Sequence, residues 1–335
     1  MVKRIAIISR EKLNIEKHTS GQEFYLKILV NSLRRIGVDV GLLTINEALR
    51  SGGDYDALHL YYVGLADVIK LRKKFNNSKF VYHVYHVEDS TWSYPRTLLW
   101  QGFLISIQFA IDVYLATSRS LLKWLKSKIL LSKYILIEPY INCNNGFFNN
   151  FEYVVKEKFQ DLRELILLYI GRVNPWRFPL KEVIESLKPL LKRIPVKLIV
   201  VSKLSEKDKI NTFKPYEKLE VIIIDRWLSD DEKREVFRKA HFFLFPAKGN
   251  TAMNPPITVL ESVCYGTLPL VTTIVIKDID IPKELVAYGV NEIPERITQL
   301  IEDPMLLSST INGIKSSFRR FYDENRFIGA LREVI

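Results

Sequence analysis

Two α/β domains, each a doubly wound parallel sheet, are what the sequence predicts. Three observations carry this expectation: short apolar β-rich runs alternate with amphipathic helical stretches, the alternation stops at a polar Asn-rich segment, and beyond it the alternation begins again. The 335 residues and 47% hydrophobic content suit two cores of ordinary size.

In the first half RIAIIS reads as the opening strand, because charges end the apolar run too soon for a signal peptide. A helix through QEFYLKILVNSLRRIG follows, then strands DVGLLT, DALHLY, KFVYHVY, DVYLATS and YILIEP. The run TLLWQGFLISIQFAI, Thr97 to Ile111, is uncharged but shorter than the roughly 20 residues of a spanning helix, so it reads as a buried helix. INCNNGFFNN, Ile141 to Asn150, is the linker candidate. The pattern restarts with ELILLYIG, a helix LKEVIESLKPLLKRI, strands VKLIVVS and LEVIII, a helix opened by a capping box from Ser229 to Glu232, and strands HFFLFP and LPLVTT. The final SSFRRFYDENRFIGALREVI is helical with no strand to follow, so it is expected to cross back to the first domain. The expected division is 1–148, 149–312 and the returning helix 313–335.

Cys143 and Cys264 are too few for a disulfide framework, and no Cys/His cluster has zinc spacing, so a reducing, cytoplasmic setting without a bound metal is expected. The net charge of +11 is uneven: residues 1–150 hold 20 Lys+Arg against 12 Asp+Glu (+8), and the remainder 29 against 26 (+3). An anionic partner for the first half follows, whether nucleic acid, membrane surface or phosphorylated substrate.

Ligands of parallel α/β sheets lie beyond the carboxyl ends of the strands. LYIGRVNPWRF places Gly171, Arg172 and Arg177 there: the glycine permits a tight turn, and the guanidinium groups can clamp a phosphate. A plain surface role beside a βα turn fits the same residues. Glu261 lies in TVLE, which spells a capping box with Thr258 as N-cap after Pro255 and Pro256. Alternatively, the carboxylate faces a cleft and accepts hydrogen bonds from ribose hydroxyls, beside helix-start N–H groups open to a phosphate. His83 and His86 lie three apart on one strand, hence on opposite faces, and His86, nearer the tip and followed by Glu88 and Asp89, is the better catalytic candidate. A buried structural histidine is the competing reading.

Taken in order, these pieces resemble the family 4 retaining glycosyltransferases of the GT-B fold over almost the whole chain. TSGQEFYLKILVNSLRRIGVDVGLLT is similar to that family's opening glycine loop, helix and turn, which implies a donor-side place for Gly21. DVYLATSRSLLKWL, YIGRVNPWR, DRWLSDDEKREVFRKAHFFLFP and LESVCYGTLPLVTT resemble its later landmarks. The resemblance implies two Rossmann-like domains facing a cleft, with Arg172 and Arg177, the latter replacing a usual lysine, on the donor diphosphate. It places Glu261 on the ribose. The family's usual second glutamate, eight residues before, is Met253 here, and MNPP replaces EGFG, leaving Asn254 as the nearest polar side chain for the donor sugar.

The implied enzyme is a metal-independent retaining hexosyltransferase using a nucleotide diphosphate sugar, with no other cofactor. The implied acceptor is a hydroxyl compound, lipid-linked or a polysaccharide. RSLLKWLKSKILL combines Arg119, Lys123, Lys126 and Lys128 with Trp124 and leucines at helical spacing, as in a helix lying on an anionic bilayer at the inner membrane surface. A solvated helix packed on its own sheet has the same pattern. Met253 also admits a catalytically silent subunit that binds a nucleotide or a protein partner, and a same-fold nucleotide-sugar epimerase is a third reading. Nucleic acid is not expected, since no recognised module for it is visible.

Overall fold

A computed structural model describes residues 3–13, 21–87, 94–143, 148, 150–203, 216–249 and 255–335. They form two compact units: Met1–Tyr140 with Asp323–Ile335, and Ile141–Thr251 with Pro255–Tyr322. The chain thus passes to the second unit just after Tyr140, and the returning segment begins at Asp323. The helix Pro304–Phe318 stays in the second unit, packed on the helices Phe151–Phe159 and Ile257–Cys264.

In the first unit β1 (Arg4–Ser9), β2 (Asp39–Thr44), β3 (Ala57–Tyr61), β4 (Lys79–Val84), β5 (Val113–Ala116) and β6 (Lys133–Leu136) form one parallel sheet in the order β2-β1-β3-β4-β5-β6. In the second, β7 (Leu165–Ile170), β8 (Val196–Val201), β9 (Leu219–Ile224), β10 (Phe242–Phe245), β11 (Leu268–Thr272) and β12 (Val286–Ala287) pair in the order β12-β11-β10-β7-β8-β9, again all parallel. Strands such as LILLYI and FFLF are apolar at nearly every position because helices cover both faces, leaving no solvent face to require alternation. The order reverses between β1 and β3 in one unit and between β7 and β10 in the other, and the ligand crevice of an open α/β sheet opens at such a reversal.

The expected capping box at Ser229 forms. Its hydroxyl accepts from Glu232 N–H (3.3 Å), and Glu232 Oε2 accepts from Ser229 N–H (2.8 Å). The helix expected over LKEVIESLKPLLKRI divides into Leu180–Ser186 and Lys188–Leu191, since Pro189 has no N–H to continue the ladder. The helix Glu324–Arg332 completes the first unit: Phe327 stacks on Tyr140 and meets Tyr25 edge-on, Arg326 bonds Glu138, and Arg35 bonds Glu324.

Two expectations are corrected. The stretch from Thr97 to Ile111 is not a buried helix: in the helix Tyr94–Ser106 only Leu104 is fully buried, followed by Ile107, Ala110 and Ile111, while Leu98, Leu99 and Phe109 face solvent. Its apolar composition hid an outer face that no neighbour within the unit covers. Cys143 and Cys264, too few for a disulfide framework, are nevertheless joined to each other in one disulfide inside the second unit. The remaining part of the linker candidate, residues 144–147 and 149, lies outside the described residues.

Candidate functional site

In the second unit the chain leaves β7 through Gly171, where a Cβ would meet the Tyr169 hydroxyl at 2.7 Å. That hydroxyl donates to Arg172 C=O (2.7 Å), and the Tyr169 ring stacks on Phe178 with centroids 3.8 Å apart. Only glycine leaves room for this closure. Asn174 then folds the loop: its Oδ1 accepts from Trp176 N–H (3.0 Å) and Arg177 N–H (2.7 Å), as Asx turns do. Lys248, just past β10, donates its N–H to Trp176 C=O (2.7 Å), tying the chain on the two sides of the sheet reversal. Arg172 is exposed and Arg177 half-buried, so two guanidinium groups stand at the carboxyl end of β7.

The helix after β10 spans Ile257–Cys264 and begins two residues earlier than TVLE suggested. Pro256 is the N-cap and accepts from Val259 and Leu260 N–H (3.0 and 3.3 Å), so Thr258 lies inside the first turn and no Thr258–Glu261 capping box exists. The two prolines cause this, holding the chain extended until Pro256 and releasing it directly into the helix. Glu261 is consequently mid-helix and only 3% exposed.

A residue that the sequence did not single out partners it. Lys233 Nζ, from the helix Asp230–Lys239, lies 2.5 Å from Glu261 Oε1 and 3.6 Å from Asp230 Oδ1. Burial alone would lower the Lys233 pKa, but the Glu261 charge and hydrogen bond outweigh it and hold the ammonium above its ordinary value. Burial, and then the same carboxylate, push the nearby Tyr265 and Tyr322 phenols up. An ion pair linking residues 28 apart on separate helices has no local sequence signature.

In the first unit Gly21 opens the helix Gly21–Arg35, and its neighbour Gln22 has Nε2 3.5 Å from His86 Nδ1. The structure therefore brings Gly21 and His86 to one rim. His86 lies two residues beyond the end of β4, buried, with Trp100 Nε1 donating to its carbonyl (3.0 Å) and the Trp100 ring stacked on it at 6.4 Å. Tyr61, Tyr62 and Tyr85 extend this aromatic group, with Tyr62 in the left-handed region at φ 53°, where a bulky residue is strained. His83 sits deeper and faces His59, Nε2 to Nδ1 at 2.9 Å. Burial lowers both, His83 to about 3, so they are neutral core residues and not acid–base groups at the rim. Asn254, Met253, Glu88 and Asp89 lie outside the described residues.

Helix Arg119–Lys128 packs as a cover for its own sheet. Leu121 and Leu125 are buried, Trp124 lies against the core, and Arg119 pairs with Glu138 at 3.4 Å. Among the described residues no helix is long and apolar enough to cross a membrane.

Residues 164–303, the body of the second unit, match the family Glycosyl transferases group 1, and this match supports sugar transfer. No curated protein sequence matches the chain. Solved structures match over nearly the full length. Anabaena Alr3699/HepE in complex with UDP-glucose aligns at TM-score 0.67 and 11% identity, covering 98% of each chain. A glycosyltransferase from Rickettsia africae aligns at 0.64 and 15%, covering 99% of this chain and 98% of that one. The α,α-trehalose 6-phosphate synthase of Burkholderia multivorans aligns at 0.63 and 9%, covering 100% and 97%. At these identities the likeness concerns the fold, and the two six-stranded sheets are those of GT-B glycosyltransferases.

Proposed function

We propose that this chain moves a sugar from a nucleotide diphosphate sugar to a hydroxyl acceptor, with retention of anomeric configuration and no metal ion. The observation that carries the reading is the family match over residues 164–303, the stretch that sets Gly171, Arg172 and Arg177 at the carboxyl end of β7, beside the sheet reversal.

In this reading the barrier lies in parting the sugar from its diphosphate while the anomeric carbon becomes cationic. Arg172 and Arg177 supply fixed positive charge to the departing phosphates, and the closed Gly171 turn admits them near the backbone. Glu261 takes the ribose hydroxyls, with the Lys233 ammonium holding its carboxylate in place. Gly21 lies on the donor path, Asn254 offers a polar group to the donor sugar, and His86 hydrogen-bonds to reacting hydroxyls on the acceptor side. The acceptor is lipid-linked or a polysaccharide hydroxyl.

A panel of nucleotide sugars tests this by thermal shift and by turnover, with UDP-glucose first because Anabaena Alr3699/HepE holds it. A true donor at one hundred times its Kd should add about 2.7 kcal/mol of stability. If no nucleotide sugar raises Tm and none is consumed with or without acceptor sugars, the reading fails. Tight binding without turnover would favour the silent subunit.

A further inference from the structure

We propose that the outer face of the helix Tyr94–Ser106, continued by Phe109, Leu130 and Leu131, docks this chain on an anionic lipid bilayer. The apolar side chains come from positions that share one side of the helix: Pro95, Leu98, Leu99, Gly102, Phe103 and Ser106 line an open groove with Leu65 of the neighbouring helix. Leu99 is 75% exposed, Phe109 67%, Leu130 81% and Leu131 73%. The last three converge because Gln108 Oε1 accepts the N–H groups of Leu130 (2.9 Å) and Leu131 (3.3 Å), holding that loop beside Phe109. Soluble surfaces rarely leave so many large apolar side chains of one short segment in water.

Charge selects the occupant. Lys123, Lys126 and Lys128 are exposed on the helix Arg119–Lys128, which packs through Leu122 and Trp124 on the same core cluster as Trp100 and Phe103, and from residue 94 to 131 the one acidic residue is Asp112, which two bonds of 3.0 and 3.1 Å hold to Arg72. Exposed leucine and phenylalanine in a segment whose exposed charge is basic match the acyl boundary and anionic headgroups of a bilayer. A second copy would set the same lysines against one another across a two-fold axis. The helix Tyr94–Ser106 is about 20 Å long, so it can lie in the membrane plane with its exposed apolar side chains sunk a few ångströms. The helix Arg119–Lys128 then contributes charge, while insertion belongs to the helix Tyr94–Ser106 and to the two loop tips. The surface does not depend on the transfer reaction: a chain that binds vesicles and moves no sugar leaves it standing.

Co-sedimentation with phosphatidylcholine vesicles, with and without phosphatidylglycerol, decides it. Pelleting is expected only with the anionic lipid, and it should weaken as salt rises. Each of Lys123→Gln, Lys126→Gln and Lys128→Gln should lower partitioning about fivefold. Combined Leu99→Ser, Phe109→Ser and Leu130→Ser should abolish it with an unchanged circular dichroism spectrum, since all three side chains are exposed. Absence of pelleting, equal pelleting with neutral lipid, or insensitivity to the serine variant overturns the proposal. A dimer seen by light scattering and dispersed by those serines overturns it too, in favour of a self-interface.

Discussion

The two units use one architecture, six parallel strands with helices on both faces, and dress the strand ends differently. In the second unit the strand ends carry charge: Arg172 and Arg177 stand after β7, and Glu261, buried in the helix after β10, is locked to Lys233. The first unit instead presents rings, with Tyr61, Tyr62, Tyr85, His86 and Trp100 in mutual contact. The sheet is a holder in both cases, and the few residues past each strand decide what it can hold.

Breaking the ion pair should produce the largest contrast. Lys233→Ala leaves Glu261 buried without its cation, which costs about 3–5 kcal/mol. The loss should appear as hydrogen-exchange deprotection in peptides of β7–β12, with β1–β6 unchanged; equal loss in both units would show that the pair is not local to the second. Glu261→Gln should be milder in stability yet lower nucleotide affinity. Next come Arg172→Ala and Arg177→Ala, each expected to weaken nucleotide binding by about 1.5–3 kcal/mol with little change in Tm. Unchanged affinity in both, measured by calorimetry, would remove them from the donor site. The smallest effect separates the units by pH. The folded-state pKa values of His59 and His83 in the first unit, and of His241 in the second at about 4, are all depressed by burial. Below about pH 6.5 the unfolded chain therefore binds protons that the folded chain refuses, and stability falls with pH by about 1.4 kcal/mol per unit per histidine. With two such groups against one, the first unit should lose protection first between pH 6.5 and 5. Simultaneous loss would indicate that the His59–His83 pair is not the sensitive element.

The strands were legible in the sequence because buried parallel strands are unbroken apolar runs between turn residues, as in RIAIIS and VKLIVV. The placement of Gly171 and Arg172 just past a strand was legible as well, since they follow such a run directly. What escaped were features set by distant or steric partners. The capping box at Thr258 met every local rule, but Pro255 and Pro256 moved the helix start and turned Glu261 inward. Lys233 looked like one more surface lysine in DDEKRE until folding laid its helix beside Glu261. The stretch from Thr97 to Ile111 showed how apolar composition states what a segment would gain from burial, without saying whether its own unit supplies the cover.

The Cys143–Cys264 bond, spanning 121 residues, makes a closed covalent ring of the chain from β7 through β10. A protease that cuts one peptide bond anywhere inside this ring therefore opens a loop without releasing a fragment. The nicked chain should migrate as one band of 39.1 kDa mass in denaturing gels and separate into two only after a thiol reductant is added.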